Sequence, residues 1–524
     1  MTGSQFENGQ LPVGWSRIPL RDVLLPTSTV DPRRVKQNEF FYVDIEAIDN
    51  ARQKLVAPKR LLGAAAPSRA RNAVQAGDVL FSLVRPYLRN LAVVPDGLDP
   101  AVASTAFFVC RPGPGMNSRY LLNFLRQVSF IDSVTTYGSS PPAARDEEFE
   151  RLPIVIAPSR EQERIADAVD ELFSDLDTGV STLERVREKL KLYRASVLKA
   201  AVDGTLTAEW RRSHPSTESA AELLRCVIAE RRRRWEEEQT RKFKEKGQEP
   251  PKNWKARYKE PVEPDTSTLP SLPSGWCWVS WDQIGLAQNG RGFPSKDYQD
   301  TGVKLLRPGN LYADGTVAWN ERNTRFLPQQ YSDNAADLIV RGGELIMNLT
   351  AQSLKDEFLG RTCITSPDEC CLLNQRLARL TPIVVQPRFM LCVFKSAWFR
   401  TFVAGLNTGS LIQHMFTSQL DDFVLPLPPF DEQSAIVDVV DDQVSVIDHL
   451  QAELGKRLQS RQSLRQSILR HAFSGMLVPQ DSNDEPASRL LERIATEREA
   501  RVRAGVAVKR SGRRRSRSEA GGAR

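Results

Sequence analysis

The sequence has little of what metal sites are built from. Its 524 residues include four histidines and seven cysteines. Cys110, Cys226, Cys277, Cys363, Cys370, Cys371 and Cys392 form no CxxC pair, and no histidine stands near them at zinc-ligand spacing. An odd, scattered set of thiols fits a reducing cytoplasm rather than a disulfide framework. No apolar run approaches the ~20 residues of a membrane helix. The opening MTGSQFENGQLPVGW lacks the basic patch and apolar core of a secretory signal. Secreted, membrane-spanning and zinc-finger classes are excluded.

Catalytic signatures are missing as well. There is no GxxxxGK[ST] phosphate loop, no GxGxxG turn after a strand, no HExxH and no GxSxG. Leu427-Pro428-Pro429-Phe430 resembles the Asn-Pro-Pro-aromatic motif that holds a flipped adenine, but Leu stands where the motif needs Asn. The acid runs Glu236–Glu238 and Asp441-Asp442 read as solvated helix faces, and His414 as an ordinary surface histidine. The chain reads as a protein without a catalytic centre or a cofactor of its own.

What is present is a repeat. Leu11-Pro12-Val13-Gly14-Trp15 returns as Leu272-Pro273-Ser274-Gly275-Trp276, and Gly77-Asp78-Val79-Leu80 as Gly343-Glu344-Leu345-Ile346. Tyr137-Gly138-Ser139 is answered by Thr408-Gly409-Ser410. Residues 161–206 align without a gap on 432–477, with 15 of 46 positions identical, and ESAAELLRCVIAER (218–231) matches EPASRLLERIATER (485–498). Two similar halves stand in tandem.

Each half has two parts. The front part carries short β-branched and aromatic runs such as Phe40–Ile45, Val79–Val84 and Ala106–Val109, broken by Gly, Pro, Asn and Asp; these predict strands. Helices are predicted near Tyr120–Phe130 and Arg388–Phe402. The back part is one long helix. Ile165, Val169, Leu172, Leu176, Val180, Leu183, Leu190, Tyr193 and Val197 step by three, four or seven; Ile436, Val440, Ile447, Leu450, Leu454, Leu458, Leu464 and Ile468 do much the same, with Gln443 filling one seam position. That spacing is a coiled-coil seam, and two such stripes in one chain most simply pack on each other, antiparallel. Pro158 and Pro429 suit the helix starts, Gly204 and Gly475 the ends. About 42 residues at 1.5 Å rise make each rod roughly 60 Å long.

These blocks carry a family resemblance. Leu425-Pro426-Leu427-Pro428-Pro429-Phe430-Asp431-Glu432-Gln433, its counterpart from Leu152 to Gln162, and the helix ends Ser196–Leu206 and Ser467–Leu477 resemble the specificity subunits of type I restriction–modification systems. The first half departs from the pattern where Ala157-Pro158 replaces the double proline and where Tyr137–Pro142 is proline-rich. The resemblance implies an α+β fold: two mixed α/β target-recognition domains in tandem, separated by two long helices forming an antiparallel coiled coil with pseudo-twofold symmetry. The corresponding boundaries are a first recognition domain over 1–158, a spacer helix over 159–206, a charged helix and Pro-rich linker over 207–271, a second recognition domain over 272–430, a spacer helix over 431–477, a short helix over 478–500 and a basic, disordered tail over 501–524. It further implies a non-catalytic, cytoplasmic, prokaryotic subunit that reads a bipartite, asymmetric site on double-stranded DNA. Its partners would be two modification (methyltransferase) subunits and restriction (translocase/nuclease) subunits. S-adenosylmethionine, ATP and Mg would belong to those partners. The rival readings are a coiled-coil scaffold without sequence preference and a self-contained DNA-modifying enzyme with an unrecognised site.

Base and phosphate contacts need cations, amides and hydroxyls on loops. The candidates are Arg85, Tyr87, Arg89 and Asn90 after a predicted strand, Ser139 and Ser140, Arg291 and Lys296 in a Gly-rich basic loop, Asn348, Gln352, Lys355, and Asn407, Ser410 and Gln413. Net charge is a poor guide. Residues 501–524 hold nine Arg or Lys and one acid, so this +8 segment exceeds the chain's +7 and the remaining 500 residues sum to −1.

Overall fold

The computed structural model describes residues 11–215, 218–352, 357–406 and 413–519, with side chains to Arg503. It forms two compact units, residues 1–183 with 456–524 and residues 184–455. The unit boundaries therefore fall inside the long helices. Each unit combines one α/β domain, the near part of its own long helix, and the far part of the other repeat's helix.

The duplication is visible in strand topology. In the first unit a four-stranded sheet runs Lys59–Leu62, Glu39–Val43, Ala101–Ser104, Ala70–Val74, with the central pair parallel. In the second the order is Phe326–Leu327, Val303–Leu306, Cys370–Leu373, Ile339–Arg341, again with a parallel central pair. An antiparallel sheet of Phe107–Cys110, Val79–Ser82 and Leu91–Val93 is matched by Leu377–Pro382, Leu345–Asn348 and Thr362–Ile364, to which Gly285–Asn289 adds an edge. The helix expected over Tyr120–Phe130 is two, Ser118–Leu125 and Val128–Asp132. That over Arg388–Phe402 is also two, Pro387–Lys395 and Ala397–Gly405, because the Ser396 side chain accepts from the Phe399 amide and starts a new helix.

The Glu-Gln pair explains how each long helix is anchored. The first helix is Ser159–Asp203. Gln162 donates to the Ala157 carbonyl (2.8 Å) and accepts from the Asn117 amide (3.0 Å). Gln433 does the same with Pro428 (3.1 Å) and Gln386 (2.9 Å). Glu161 accepts from the Trp15 indole at 2.9 Å and Glu432 from Trp276 at 2.8 Å. The Leu-Pro-x-Gly-Trp and Glu-Gln blocks are thus two sides of one joint, built twice.

The helix ends close the other way, on the opposite repeat. Gly204 (φ +76°) and Gly475 (φ +74°) terminate the helices in the left-handed region. A Cβ on Gly475 would lie 2.4 Å from Pro12 Cγ, and one on Gly204 2.6 Å from Pro273 Cγ, so both need glycine for space as well as for φ. The next helix in each repeat then docks on the same head: the Ala220 amide donates to Gly275 and the Ala487 amide to Gly14, both at 2.8 Å. Arg231 pairs with Asp282 at 2.6 Å, and Arg498 with Asp22 at 3.6 Å.

The first unit's main core joins Tyr120, Phe124 and Phe149 of its domain to Ile165, Val169 and Phe173 of its own helix, and to Leu469, Phe473, Leu490 and Ile494 from the end of the other repeat. The second unit's core joins Trp281, Phe394 and Phe399 to Val197, Ala201, Leu223, Ile436 and Val440. Burying each such large side chain contributes about 1.5–3 kcal/mol.

The helix pairing is antiparallel within each unit. Asp177 meets Arg461 and Arg465 in the first, and Arg194 meets Asp448 in the second. The seam differs from the expected one in detail. Leu172, Tyr193, Leu450 and Leu464 are exposed, whereas Phe173 and Leu469 are buried. A helix with 3.6 residues per turn drifts off a strict 3.5 repeat, and the buried stripe slips one residue to follow it. The second helix is assigned as Phe430–Gln459 and Arg461–Phe473. The interruption is slight, since the Ser460 hydroxyl bonds back to the Lys456 carbonyl while the backbone bonds Ser460 N to Lys456 O and Leu464 N to Ser460 O continue.

Between the halves the helix Ala220–Glu245 runs past the expected end at Arg234. Arg233 and Arg234 both pair with Glu230, and Lys242 with Glu238, at helical spacing. The Pro-rich stretch after it folds back, stacking Trp254 on Trp235 with ring centres 5.8 Å apart. The C-terminal helix spans Ala487–Glu519, so the basic segment expected to be disordered is helical to that point. Glu497 and Glu499 support its start by pairing with Arg501 and Arg503.

Candidate nucleic-acid interface

In the first unit the strand Val79–Ser82 feeds a loop held in an unusual backbone conformation. Arg85 (φ +50°) and Arg89 (φ +57°) flank a single 3-10 turn, Pro86–Leu88. Left-handed non-glycine residues cost of order 1 kcal/mol each and persist where surroundings impose them. Here the imposition is a second loop: the Arg85 amide donates to Pro142 at 2.9 Å, and Val84 and Tyr137 both bridge to Ala143. The two loops therefore rise together. They expose Arg85, Tyr87 (59%), Ser139 and Ser140, with the Arg145 guanidinium 4.1 Å from the Tyr137 ring centre. Arg89 is half-buried. Asn90 is buried, so it supports the loop and is not presented on it.

The corresponding region of the second unit gathers four segments. Thr350–Ala351 pairs with Gln413–His414, Ala351 standing opposite Gln413, and the exposed Gln352 follows directly on that ribbon. The Arg291 amide donates to Leu373 (3.1 Å), and its carbonyl accepts from Gln375 (2.9 Å). Asn289 Nδ2 donates to Thr417 Oγ1 at 3.2 Å. Gly290 permits this approach, since a Cβ there would lie 2.2 Å from the Asn374 carbonyl oxygen. Segments 289–293, 350–352, 374–376 and 413–417 contain no Asp or Glu. An acid-free surface of arginine and amide side chains is suited to phosphate and base edges.

Asn348 departs from the sequence reading. It is fully buried, and its amide donates to the Thr350 (2.6 Å) and Phe358 (2.8 Å) carbonyls. Ser82 stands at the equivalent place and bonds the Val84 carbonyl at 2.9 Å. Both residues hold the loop's own backbone, which removes Asn348 from the exposed set. Lys296 is exposed on the 3-10 turn Ser295–Asp297. Lys355, Asn407 and Ser410 lie outside the described residues. Gln375 and Arg376 were passed over in the sequence; their only signal is a polar turn, Asn374-Gln375-Arg376, between the apolar runs Cys370–Leu373 and Leu377–Leu380.

Among the described residues no group of three or more His, Cys, Asp or Glu is placed to hold a metal, and no helix is long and apolar enough to cross a membrane. Burial pushes the Cys277 thiol up to about 11 and those of Cys363 and Cys392 up to about 12, so they stay protonated and inert at neutral pH.

Two topologically matched α/β domains, each closed by helices from both repeats and each raising its own loop set, define a tandem two-domain protein. The chain is 24% identical over 427 residues to the type I restriction enzyme EcoAI specificity subunit of Escherichia coli, covering 71% of this chain and 68% of that one. It is 23% identical over 383 residues to the EcoDI specificity subunit (69% and 72%), and 21% over 372 residues to the MjaVIII specificity subunit of Methanocaldococcus jannaschii (70% and 72%). In fold it is similar to a chain from a structural study of assembly and conformational transition of the type I R-M system, with a TM-score of 0.67, 23% identity and coverage of 90% of this chain and 100% of that one. It is likewise similar to the HsdS subunit of Thermoanaerobacter tengcongensis, with a TM-score of 0.57, 22% identity and coverage of 90% and 99%. No family model matches the chain. In sequence and in fold, then, the chain is similar to the specificity subunits of type I restriction–modification systems.

Proposed function

We propose that this chain is the DNA-reading subunit of a type I restriction–modification complex, each α/β domain taking one half of a bipartite, asymmetric target. It performs no chemistry itself. Two modification subunits would methylate an adenine in each half-site using S-adenosylmethionine, and restriction subunits would use ATP and Mg to translocate and cleave unmodified DNA. The observation that carries this reading is the pairing of one topology with two chemistries. The frameworks match in their four-stranded sheet and in the three common strands of the antiparallel sheet, while the loops on them differ: Arg85-Pro86-Tyr87-Leu88-Arg89 on one, and the amide-rich Gln352, Gln375 and Gln413 surface on the other. A scaffold without sequence preference has no use for that difference.

The test is to purify the chain with its modification partner and sequence the methylated sites in genomic DNA. A split motif with one modified adenine in each half is the expected result. An undivided motif, or methylation by this chain alone, overturns the reading.

A further inference from the structure

The same three-residue turn links the same two strands in both units. In the first it is Ser104-Thr105-Ala106, whose first residue also ends the strand Ala101–Ser104, and in the second Asn374-Gln375-Arg376. The first residue caps the third in each: Ser104 Oγ accepts from the Ala106 amide and Asn374 Oδ1 from the Arg376 amide, both at 3.3 Å. The third residue's carbonyl then accepts from the adjoining sheet, from Leu83 at 3.0 Å and from Leu349 at 2.9 Å. Backbone and cap are preserved. What changes is the pair presented, Thr105-Ala106 against Gln375-Arg376.

The second-unit turn is tied at the same two backbone points as its counterpart, where the Thr105 amide donates to Arg69 at 2.9 Å, and it has one side-chain contact besides. Its backbone is bonded to Arg291 on one side and Leu349 on the other, and the Gln375 amide lies over Gly292, where a Cβ would meet Oε1 at 2.7 Å. Gln375 and Arg376 are both exposed, and among the described residues Arg376 pairs with no carboxylate. A guanidinium and a primary amide side by side on a fixed backbone match the two commonest bidentate readers of base edges, arginine for guanine and glutamine for adenine. A purely electrostatic role would need neither the rigid turn nor the amide.

We infer that Gln375 and Arg376 are specificity-determining residues that contact base edges in the half-site read by the second unit. The inference rests on the DNA-reading function proposed above and adds which side chains do the reading there. The experiment is methylation-site sequencing with the complete modification complex carrying Arg376→Ala, Arg376→Lys or Gln375→Ala. Assembly and thermal melting are checked first; both side chains are exposed and neither caps the turn, so folding should be untouched. With Arg376→Ala, one position in one half of the motif should relax, and sites with a different base there should gain methylation by at least about tenfold. The other half should be unchanged. Arg376→Lys should not restore the motif, because lysine keeps the charge and loses the planar fork. An unchanged motif in Arg376→Ala and Gln375→Ala overturns the inference, as does full rescue by lysine, which would mark a phosphate contact. A wild-type complex with no split motif would instead count against the proposed function, so the two failures are distinguishable.

Discussion

Arg465 on the second long helix donates to Asp177 on the first at 2.5 Å. Moved by the repeat offset, these positions become Arg194 and Asp448, and those two residues are paired as well. A contact between the two repeats in one unit is therefore repeated, with donor and acceptor exchanged between repeats, in the other. The pair fixes helix register more than it supplies stability, since Asp177 is 44% exposed. A double-mutant cycle of Asp177→Asn and Arg465→Met should give a coupling of about 0.5–1 kcal/mol by denaturant unfolding. The Arg465 single change should cost more than the coupling, because its guanidinium also lies 4.9 Å from the Phe173 ring centre.

Arg126 faces the same ring from 5.2 Å and has a different character. Burial, with Arg465 nearby, brings its guanidinium down to about 10, and its Nε has no hydrogen-bond partner among the described residues. Arg126→Met keeps the length and the contact with Phe173 while removing a desolvated charge. The expected change is between none and a gain of about 2 kcal/mol, read as a shift of the urea midpoint. A large loss would show that the charge is needed.

The two equivalent glutamates should respond differently to the same change. Glu432 accepts from Trp276, Thr207 and Arg211, whereas among the described residues Glu161 accepts from Trp15 alone and its Oε1 has no partner. Burial raises the Glu161 carboxyl above the ordinary glutamate value, and the Trp15 bond opposes this only in part. A folded value above the unfolded one means the native state binds the proton more tightly. The resulting cost is absent below the unfolded pKa and fully present once pH exceeds the folded one. Glu161→Gln should therefore leave stability at pH 7 unchanged or improved, and flatten its pH dependence across that interval. Glu432→Gln should lose about 2 kcal/mol or more.

Loop residues should separate into those that read and those that hold. Arg85→Ala and Tyr87→Ala should alter or weaken one half of the methylation motif with the melting temperature intact. Asn348→Ala removes two buried hydrogen bonds and should cost about 1–3 kcal/mol in stability, without a selective change at one base position. The check is to measure melting and motif on the same preparations.

Much of the framework was legible because it is written twice. Pro158, Gly204 and the Glu-Gln blocks mark the helix limits, and their recurrence at one offset gave the tandem plan. The grouping into units was not legible. An apolar stripe states that a helix has a partner; it does not state that the partner changes from one α/β domain's surroundings to the other's at Leu183. Choosing Phe173 over Leu172 needs the accumulated helical drift, which a three-four count ignores. At the interface, Arg85 and Tyr87 could be found because a cation and an aromatic sit together after a strand. Asn348 looked the same as an exposed reader, since an amide that bonds its own backbone and one that faces a ligand have identical sequence signals. Gln375 and Arg376 lay in a turn too short and too ordinary to stand out, and only the capping shared with Ser104-Thr105-Ala106 sets them apart.

The joint between Gly475 and Pro12 has a consequence for synthesis. Residues 184–455 are contiguous, so the second unit has all its parts as soon as they leave the ribosome. The first unit has to wait, because Leu469, Phe473, Leu490 and Ile494 belong to its core and are made last. At about 5–20 residues per second, the apolar face around Tyr120 and Phe124 stays uncovered for roughly 20 to 75 seconds after it emerges. The domain translated first is the one completed last, and the nascent chain is most open to aggregation over that interval.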